Sequence, residues 1–234
     1  TEYGHGLENL ALIPGSVGAA PIQNICAYGV ELADCLAWVE GIRLSCQQLT
    51  RLDNPACRFG SRDSVFKCQL RGALVISRVC FRLSRTFAPQ LSYGPLAQWS
   101  AGRAVNSAEL IDEVCRIRQS KLPDPGQLAN AGSFFKNPVV SALQAAELLQ
   151  RFPDMPHYPA IGGVKLAAGW LIERAGWKGK RLGVVGMHDQ QALVLVNHGG
   201  ARLADVEALS RQVQADVWSQ FAVTLEPEPQ RFAP

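Results

Sequence analysis

The stretch Asn130-Ala131-Gly132-Ser133-Phe134-Phe135-Lys136-Asn137-Pro138 is the most informative part of this 234-residue chain. It places a lone hydroxyl, an amine and a carboxamide close together, which is typical of a functional site. Gly132 permits backbone conformations that are closed to other residues, so Ser133 can stand at a sharp corner. A serine directly before an apolar pair can also cap a helix, and the sequence leaves this structural alternative open.

The period of the apolar residues changes along the chain. Residues 35–44 and 73–83 predict strands, the latter by its alternation of apolar and polar residues, and the spacing from Ser107 onward predicts a helix that Ser107 caps. A capping box at Ser141 predicts a helix that stops near Pro153. The remaining predicted elements are a helix over 166–176, short strands at 182–185, 192–196 and 223–225, and a long amphipathic helix through 206–217. The chain is therefore α+β, with a boundary near Ser120.

Composition excludes several classes of function. A hydrophobic content of 47% and a charged content of 18% are typical of a globular protein, and a net charge of +3 from scattered basic residues argues against nucleic-acid binding. Because the chain shows no apolar run of about 18 residues and no leader, we expect no membrane span and a cytoplasmic protein. Four dispersed histidines, and seven cysteines without a C-x-x-C pair, predict reduced thiols and no metal site.

Motifs along most of the chain share one resemblance. Besides the opening stretch, the motifs are Glu8–Asn24 with Ala27-Tyr28-Gly29, Arg58–Ser64, Lys121–Pro125, Lys165–Ile172 and Leu225–Glu228. Together and in this order they resemble the UDP-N-acetylenolpyruvoylglucosamine reductases, flavoenzymes of peptidoglycan precursor synthesis.

The resemblance implies a fold, a reaction and its cofactors. Residues 1–119 would be the C-terminal part of a flavin-binding α+β domain, and 120–234 a smaller α+β substrate-binding domain. The implied enzyme is a monomer that uses FAD and NADPH to reduce the enolpyruvyl ether of a UDP-sugar to UDP-N-acetylmuramate. Family members carry a further N-terminal segment that this chain is expected to lack. The alternative is a non-catalytic fragment or decayed homologue that binds a UDP-sugar without functional FAD.

Three catalytic residues are implied by the resemblance. Arg62 matches the family's catalytic arginine, whose guanidinium fork suits a substrate carboxylate. Ser133 would protonate a substrate carbon. Glu228, chosen over Glu226, would hold or share a proton. Residue type alone favours a solvated surface charge for Arg62 and a solvated charge near the chain end for Glu228.

The resemblance also implies two sets of ligand contacts. The flavin contacts lie in the early loop, at Ile13, Pro14, Gly15, Ser16, Val17, Gly18, Gln23, Asn24, Ala27 and Gly29. The substrate contacts are Tyr93, Lys121, Lys136, Asn137, Tyr158, Lys165 and Gln191. The structural alternatives are a turn-rich connection for the loop, a half-exposed aromatic for Tyr93, and a solvated helix-end lysine for Lys121.

Some positions depart from the family's pattern. Cys26 stands where the family has glycine, so we expect a strained backbone there and a side chain that crowds the flavin. Ser61 replaces an aromatic residue beside Arg62, and Pro229-Gln230 differs from the family's ending.

Overall fold

A computed structural model describes residues 4–231 of the chain. Helices and antiparallel sheets occur together, as expected for an α+β protein. The chain divides into two compact units, Thr1–Ser120 and Lys121–Pro234, called here the first and the second unit. No helix within residues 4–231 is both long and apolar enough to cross a membrane.

The first unit is built around a three-stranded antiparallel sheet with the order β4-β3-β5. A small hairpin and a short helix precede this sheet, and two helices follow it. The elements are β1 (Cys26–Ala27), β2 (Val30–Glu31), α1 (Leu32–Cys35), β3 (Leu36–Arg43), β4 (Gln48–Asp53), β5 (Leu74–Phe81), α2 (Gly94–Ser100) and α3 (Ser107–Lys121). The predicted strands at 35–44 and 73–83 are confirmed as β3 and β5.

Two separate apolar clusters stabilise the first unit. One lies on the inner face of the sheet, where Val39 of β3 is fully buried among residues of the early loop and of the segment between β4 and β5. The other joins α2 and α3 through Leu96, Leu110 and Val114. Because each cluster is small, much of this unit's chain is surface loop.

The start of α3 corrects one prediction. Asn106 is the residue that caps this helix, since its Oδ1 accepts the Glu109 amide at 3.0 Å and the Glu109 carboxylate accepts the Asn106 amide at 2.9 Å. The Ser107 hydroxyl instead donates to the Glu8 carboxylate at 2.9 Å. The prediction that Ser107 caps the helix was therefore wrong, although the helix itself is confirmed.

The second unit contains two antiparallel sheets and three helices. The sheet orders are β10-β11-β12-β6 and β7-β9-β8. The elements are β6 (Ala129–Ser133), β7 (Val139–Val140), α4 (Ala142–Arg151), β8 (His157–Ala160), β9 (Gly163–Leu166), α5 (Ala168–Arg174), β10 (Arg181–Leu182), β11 (Val185–Met187), β12 (Val194–Asn197) and α6 (Leu203–Phe221). One continuous apolar cluster connects all three helices with strands of both sheets.

Most predicted helices of this unit are confirmed. The Ser141 hydroxyl accepts the Gln144 amide at 3.2 Å and so caps α4. Helix α5 begins at Ala168 instead of 166, because Leu166 belongs to β9. The predicted strand at 182–185 was wrong, since Gly183 takes a φ of +62° in the turn between β10 and β11.

The predicted strand at 223–225 was also wrong. Val223 and Leu225 are buried in alternation with exposed neighbours, which is the pattern that suggested a strand. Their segment is held by side chains, because Gln144 donates to the Ala222 carbonyl and Gln214 donates to the Leu225 carbonyl. Pattern alone does not distinguish an extended segment under two helices from a strand in a sheet.

Candidate active site

In the first unit the early loop presents backbone amides to its surroundings. Residues 16–24 form consecutive turns, and Gly15 has a φ of +123°. Within residues 4–231 no acceptor meets the amides of Gly15, Ser16, Val17 or Gly18. Adjacent free amides in an exposed loop are hydrogen-bond donors that suit an anion such as a diphosphate. The residues present therefore fit the phosphate-bearing part of a flavin nucleotide.

Two hydrogen bonds join this loop to the turn that carries Arg62. The Asn24 amide donates to the Gly60 carbonyl at 3.2 Å, and the Ser64 hydroxyl donates to the Ile22 carbonyl at 2.5 Å. Asn24 is buried, and its Oδ1 accepts the Ala33 amide. The Asn24 side chain thus organises the loop from inside. A direct flavin contact by Asn24 stays a prediction, as do those of Ile13, Pro14, Gln23, Ala27 and Gly29.

Arg62 stands at the tip of a tight turn. Gly60 and Asp63 exchange backbone hydrogen bonds across it, and Arg62 has a left-handed φ of +58°. The Arg62 guanidinium is half-buried and donates to the Cys26 carbonyl at 3.3 Å. Since Cys26 lies in β1 outside the left-handed region, the strain expected there is absent. The turn therefore directs the Arg62 guanidinium toward the β1–β2 hairpin, where it is half-buried.

Tyr93 packs against the same hairpin. Its ring lies edge to face with Tyr28 at 5.2 Å, and Tyr93 stays 46% exposed directly before α2. Burial raises the pKa of the Tyr28 hydroxyl, although the nearby Arg118 guanidinium opposes this effect. Tyr28 and Gly29 both have positive φ values, as a two-residue hairpin turn requires. The ring of Tyr93, the predicted substrate contact, thus packs against Tyr28 of the motif assigned to the flavin.

In the second unit Ser133 is the last residue of β6. Gly132 has a φ of +72°, and its amide donates to Asn130 Oδ1 at 2.9 Å while Ser133 pairs with Val194 beside an irregularity in the ladder. The backbone therefore turns a corner at Ser133. The helix-capping interpretation of Ser133 was wrong, because a strand end stands at this position. Asn130, whose role the sequence did not reveal, fixes the corner.

The segment 226–228 lies beside this corner. The Glu228 amide donates to the Phe134 carbonyl at 2.8 Å, and Phe135 and Pro227 form an antiparallel bridge. Glu228 is half-buried there. The structure thus places Glu228 in a short pairing that begins directly after Ser133, so the backbones of two predicted catalytic residues lie close together.

Lys136 and Glu226 form the other end of the same pairing. The Lys136 amide donates to the Glu226 carbonyl at 2.9 Å, and the Lys136 ammonium forms an ion pair with the Glu226 carboxylate at 2.5 Å. The Glu226 side chain is 69% exposed. The predicted ligand Lys136 therefore already has a protein carboxylate as its partner.

Most of the remaining predicted substrate residues form a second group in this unit. Lys121 is not among them, because it is the exposed last residue of α3. Tyr158 and Lys165 are direct cross-strand partners, so their side chains share one face of the β8-β9 ladder. Asn137 Oδ1 accepts the Ala168 amide at 2.9 Å. A Cβ on Gly169 would lie 3.3 Å from Gln191 Oε1. Asn137 and Gln191 therefore both lie near the start of α5, directly after the strand of Lys165.

Comparison with known proteins identifies the family of this chain. Residues 124–232 match the model of the UDP-N-acetylenolpyruvoylglucosamine reductase C-terminal domain. A UDP-N-acetylenolpyruvoylglucosamine reductase of Dechloromonas aromatica is 53% identical over 96% of this chain and 68% of its own length. The reductase of Pseudomonas aeruginosa is 54% identical over 97% of this chain and 68% of its own. The chain belongs to the UDP-N-acetylenolpyruvoylglucosamine reductase family.

A solved structure agrees with this assignment. The UDP-N-acetylenolpyruvylglucosamine reductase of Thermus caldophilus superposes with a TM-score of 0.63 at 25% identity, and the match covers 97% of this chain and 64% of that one. This chain spans about two thirds of the length of the curated reductases that it matches. Residues 4–231 contain no group of three or more His, Cys, Asp or Glu side chains arranged for a metal ion.

Proposed function

We propose that this member of the reductase family converts the enolpyruvyl ether of UDP-N-acetylglucosamine to UDP-N-acetylmuramate, with FAD as its flavin and NADPH as the reductant. The observation that carries the proposal is the pairing of the Ser133 corner with the Glu228 segment. A strand end anchored in a core holds Ser133, and a backbone hydrogen bond holds Glu228 against the next residue, Phe134. Membership of the family supplies the reaction class.

Bound FAD would supply the hydride chemistry between NADPH and the terminal carbon of the substrate's double bond. The chain's residues supply the rest. Ser133 donates a proton to the adjacent carbon, so that one hydride and one proton complete the lactyl ether. An alcohol is a weak acid at neutral pH, but the enolate dianion that accepts the proton is a strong base.

Charge control is assigned to Arg62 and Glu228. Negative charge develops on the pyruvyl carboxylate, and a guanidinium binds a carboxylate through two parallel hydrogen bonds. Electrostatic stabilisation of this kind contributes a factor on the order of 10²–10³ in rate. Glu228 holds or shares a proton near the carboxylate. The Gly15–Gly18 amides bind the cofactor's diphosphate and thereby orient it.

The proposal includes substrate contacts at Tyr93, Lys121, Asn137, Tyr158, Lys165 and Gln191. It also includes a monomer that acts on a small molecule in the cytoplasm. An odd number of cysteines without C-x-x-C spacing supports a reducing compartment.

The test is a two-step titration of the purified protein mixed with FAD under anaerobic conditions. NADPH should bleach the flavin absorbance, and the enolpyruvyl substrate should then restore it and yield UDP-N-acetylmuramate. UDP-N-acetylglucosamine, which lacks the double bond, is the control and should restore nothing. A protein that binds the UDP-sugar but never reoxidises its flavin with the substrate would support the non-catalytic alternative.

A further inference from the structure

The ion pair between Lys136 and Glu226 has no role in the reaction described above. Both residues belong to the pairing that brings Glu228 beside Ser133, and they are tied twice, by a backbone hydrogen bond of 2.9 Å and by their side chains. A pair whose carboxylate is 69% exposed adds little to global stability. Its position suggests a local task.

The pairing that holds Glu228 is short. Two backbone hydrogen bonds support it, from Lys136 to Glu226 and from Glu228 to Phe134, with the Phe135–Pro227 bridge between them. The register of a pairing this short rests on few contacts, chiefly the buried Phe135 side chain and the two opposite charges at its end. A slip of one residue would turn the Glu228 side chain to the opposite side. Opposite charges that meet at one end select the single register in which Glu228 lies next to the Ser133 corner.

We propose that Lys136 and Glu226 are a positioning pair, which registers segment 226–228 against the strand end of Ser133. Lys136 then acts on the reaction through Glu228 and is not a ligand of the substrate, contrary to the expectation drawn from the resemblance. The catalytic part of this inference rests on the proposed function, whereas the registering part does not.

The registering part is tested by amide hydrogen exchange on the protein without cofactor. Lys136→Met and Glu226→Gln should each speed exchange at the Glu228 amide by about 10-fold, because both variants remove the same side-chain tie. Glu173→Gln is the matched control, since Glu173 pairs with Lys178 at 2.9 Å elsewhere in the same unit. It should leave the Glu228 amide unchanged. Unaltered exchange in both test variants would overturn the inference.

A charge swap tests whether the ion pair itself, and not either residue alone, fixes the register of segment 226–228. The double variant Lys136→Glu with Glu226→Lys keeps the pair with its signs reversed, and it should restore most of the protection at the Glu228 amide. Failure to restore it would show that the lysine and glutamate act independently, which contradicts the proposal.

Binding separates a positioning residue from a ligand. If Lys136 only positions Glu228, UDP-N-acetylglucosamine should bind Lys136→Met and Glu226→Gln with dissociation constants within about two-fold of the parent chain's value. A ligand lysine predicts opposite changes, since its loss weakens binding whereas loss of its competing carboxylate strengthens binding. Such opposite changes would overturn the proposal.

In the FAD-loaded protein, both single variants should lower kcat by about 10–100-fold with KM nearly constant, as expected when a catalytic group is displaced by about 1 Å. An increase in KM confined to Lys136→Met would contradict the inference. If the parent protein itself does not turn over, the proposed function fails together with the catalytic part, and the exchange experiments still decide the registering part.

Discussion

The two units hold their candidate residues in different ways. In the second unit Ser133 and Glu228 belong to backbone pairings fixed to one continuous core. In the first unit the loop assigned to the flavin forms exposed turns over a smaller apolar cluster. Within residues 4–231 the amides of Gly15–Gly18 have no hydrogen-bond acceptor. The second unit therefore holds its candidate residues in a fixed backbone frame, whereas the first unit leaves backbone donors of its loop open for the proposed cofactor.

The largest expected effect concerns Ser133. Ser133→Ala should leave reduction of the flavin by NADPH nearly unchanged and slow its reoxidation by the substrate about 10²–10⁴-fold, since a placed general acid is lost. Ser133→Cys should retain more activity, because a thiol donates a proton from nearly the same position. Stopped-flow absorbance separates the two half-reactions.

The control for Ser133 is a true helix cap in the same unit. Ser141→Ala should cost about 1 kcal/mol of stability through loss of the α4 cap and change neither half-reaction. Normal reoxidation by Ser133→Ala would remove Ser133 from the mechanism and would weaken the contrast between the units.

The next effect concerns the core that anchors the second unit. Phe135 is 1% exposed and pairs with Pro227, so Phe135→Ala should lower the free energy of unfolding of this unit by about 3–5 kcal/mol. Urea titration followed by the fluorescence of the buried Trp177 measures it. Leu143→Ala, at a side chain 72% exposed, should stay within about 0.5 kcal/mol. Equal losses in both variants would contradict the preorganised core.

A smaller effect is expected at Glu8 in the first unit. Burial opposes ionisation of this carboxyl, but hydrogen bonds from the backbone amide of Gly6 and from the side chains of His5 and Ser107 outweigh it, so the pKa of Glu8 lies below its ordinary value. A depressed pKa stabilises the fold above the ordinary value, and the contribution disappears as pH falls through the folded value. Glu8→Gln should therefore cost about 1 kcal/mol near neutral pH.

The pH dependence provides the check on Glu8. Urea unfolding of the parent chain and of Glu8→Gln should differ at neutral pH and converge in acid, once the carboxyl is protonated in the folded parent. A difference that grows as pH falls would reverse the assigned sign.

The smallest effect should appear in the exposed loop. Val17→Ser changes a side chain that is 61% exposed, so without FAD the stability should move by less than about 0.5 kcal/mol. Amides of Gly15–Gly18 should exchange freely without FAD and become protected when it is added. Protection that is already present without FAD would mean that the first unit is as preorganised as the second.

Sequence reasoning succeeded where local chemistry decides the structure. The spacing of apolar residues predicted the long helices. Ser141 predicted the cap of α4, and Gly132 predicted a backbone corner with positive φ. It failed where distant contacts decide. Whether Ser133 caps a helix or ends a strand depends on its pairing with Val194, which lies far along the chain.

The candidate site shows the same division. Residue types and family resemblance named Ser133, Lys136 and Glu228, and the structure places Lys136 and Glu228 in one short pairing that begins directly after Ser133. No local sequence pattern indicated that the Glu226 carboxylate would form an ion pair with the Lys136 ammonium, because the two residues lie 90 positions apart in sequence. Asn130 was equally hidden, since its task is to bind the backbone of its own turn.

The prolines of the C-terminal segment have a consequence for solubility. Glu226 and Glu228 direct backbone groups toward the continuation of β6, so Pro227 between them directs its backbone groups toward the opposite edge. Proline has no N–H to offer, and an edge without donors cannot template a further strand. Segment 226–228 can therefore add a short stretch of backbone pairing to the second unit without exposing an edge that pairs with a strand of a neighbouring molecule.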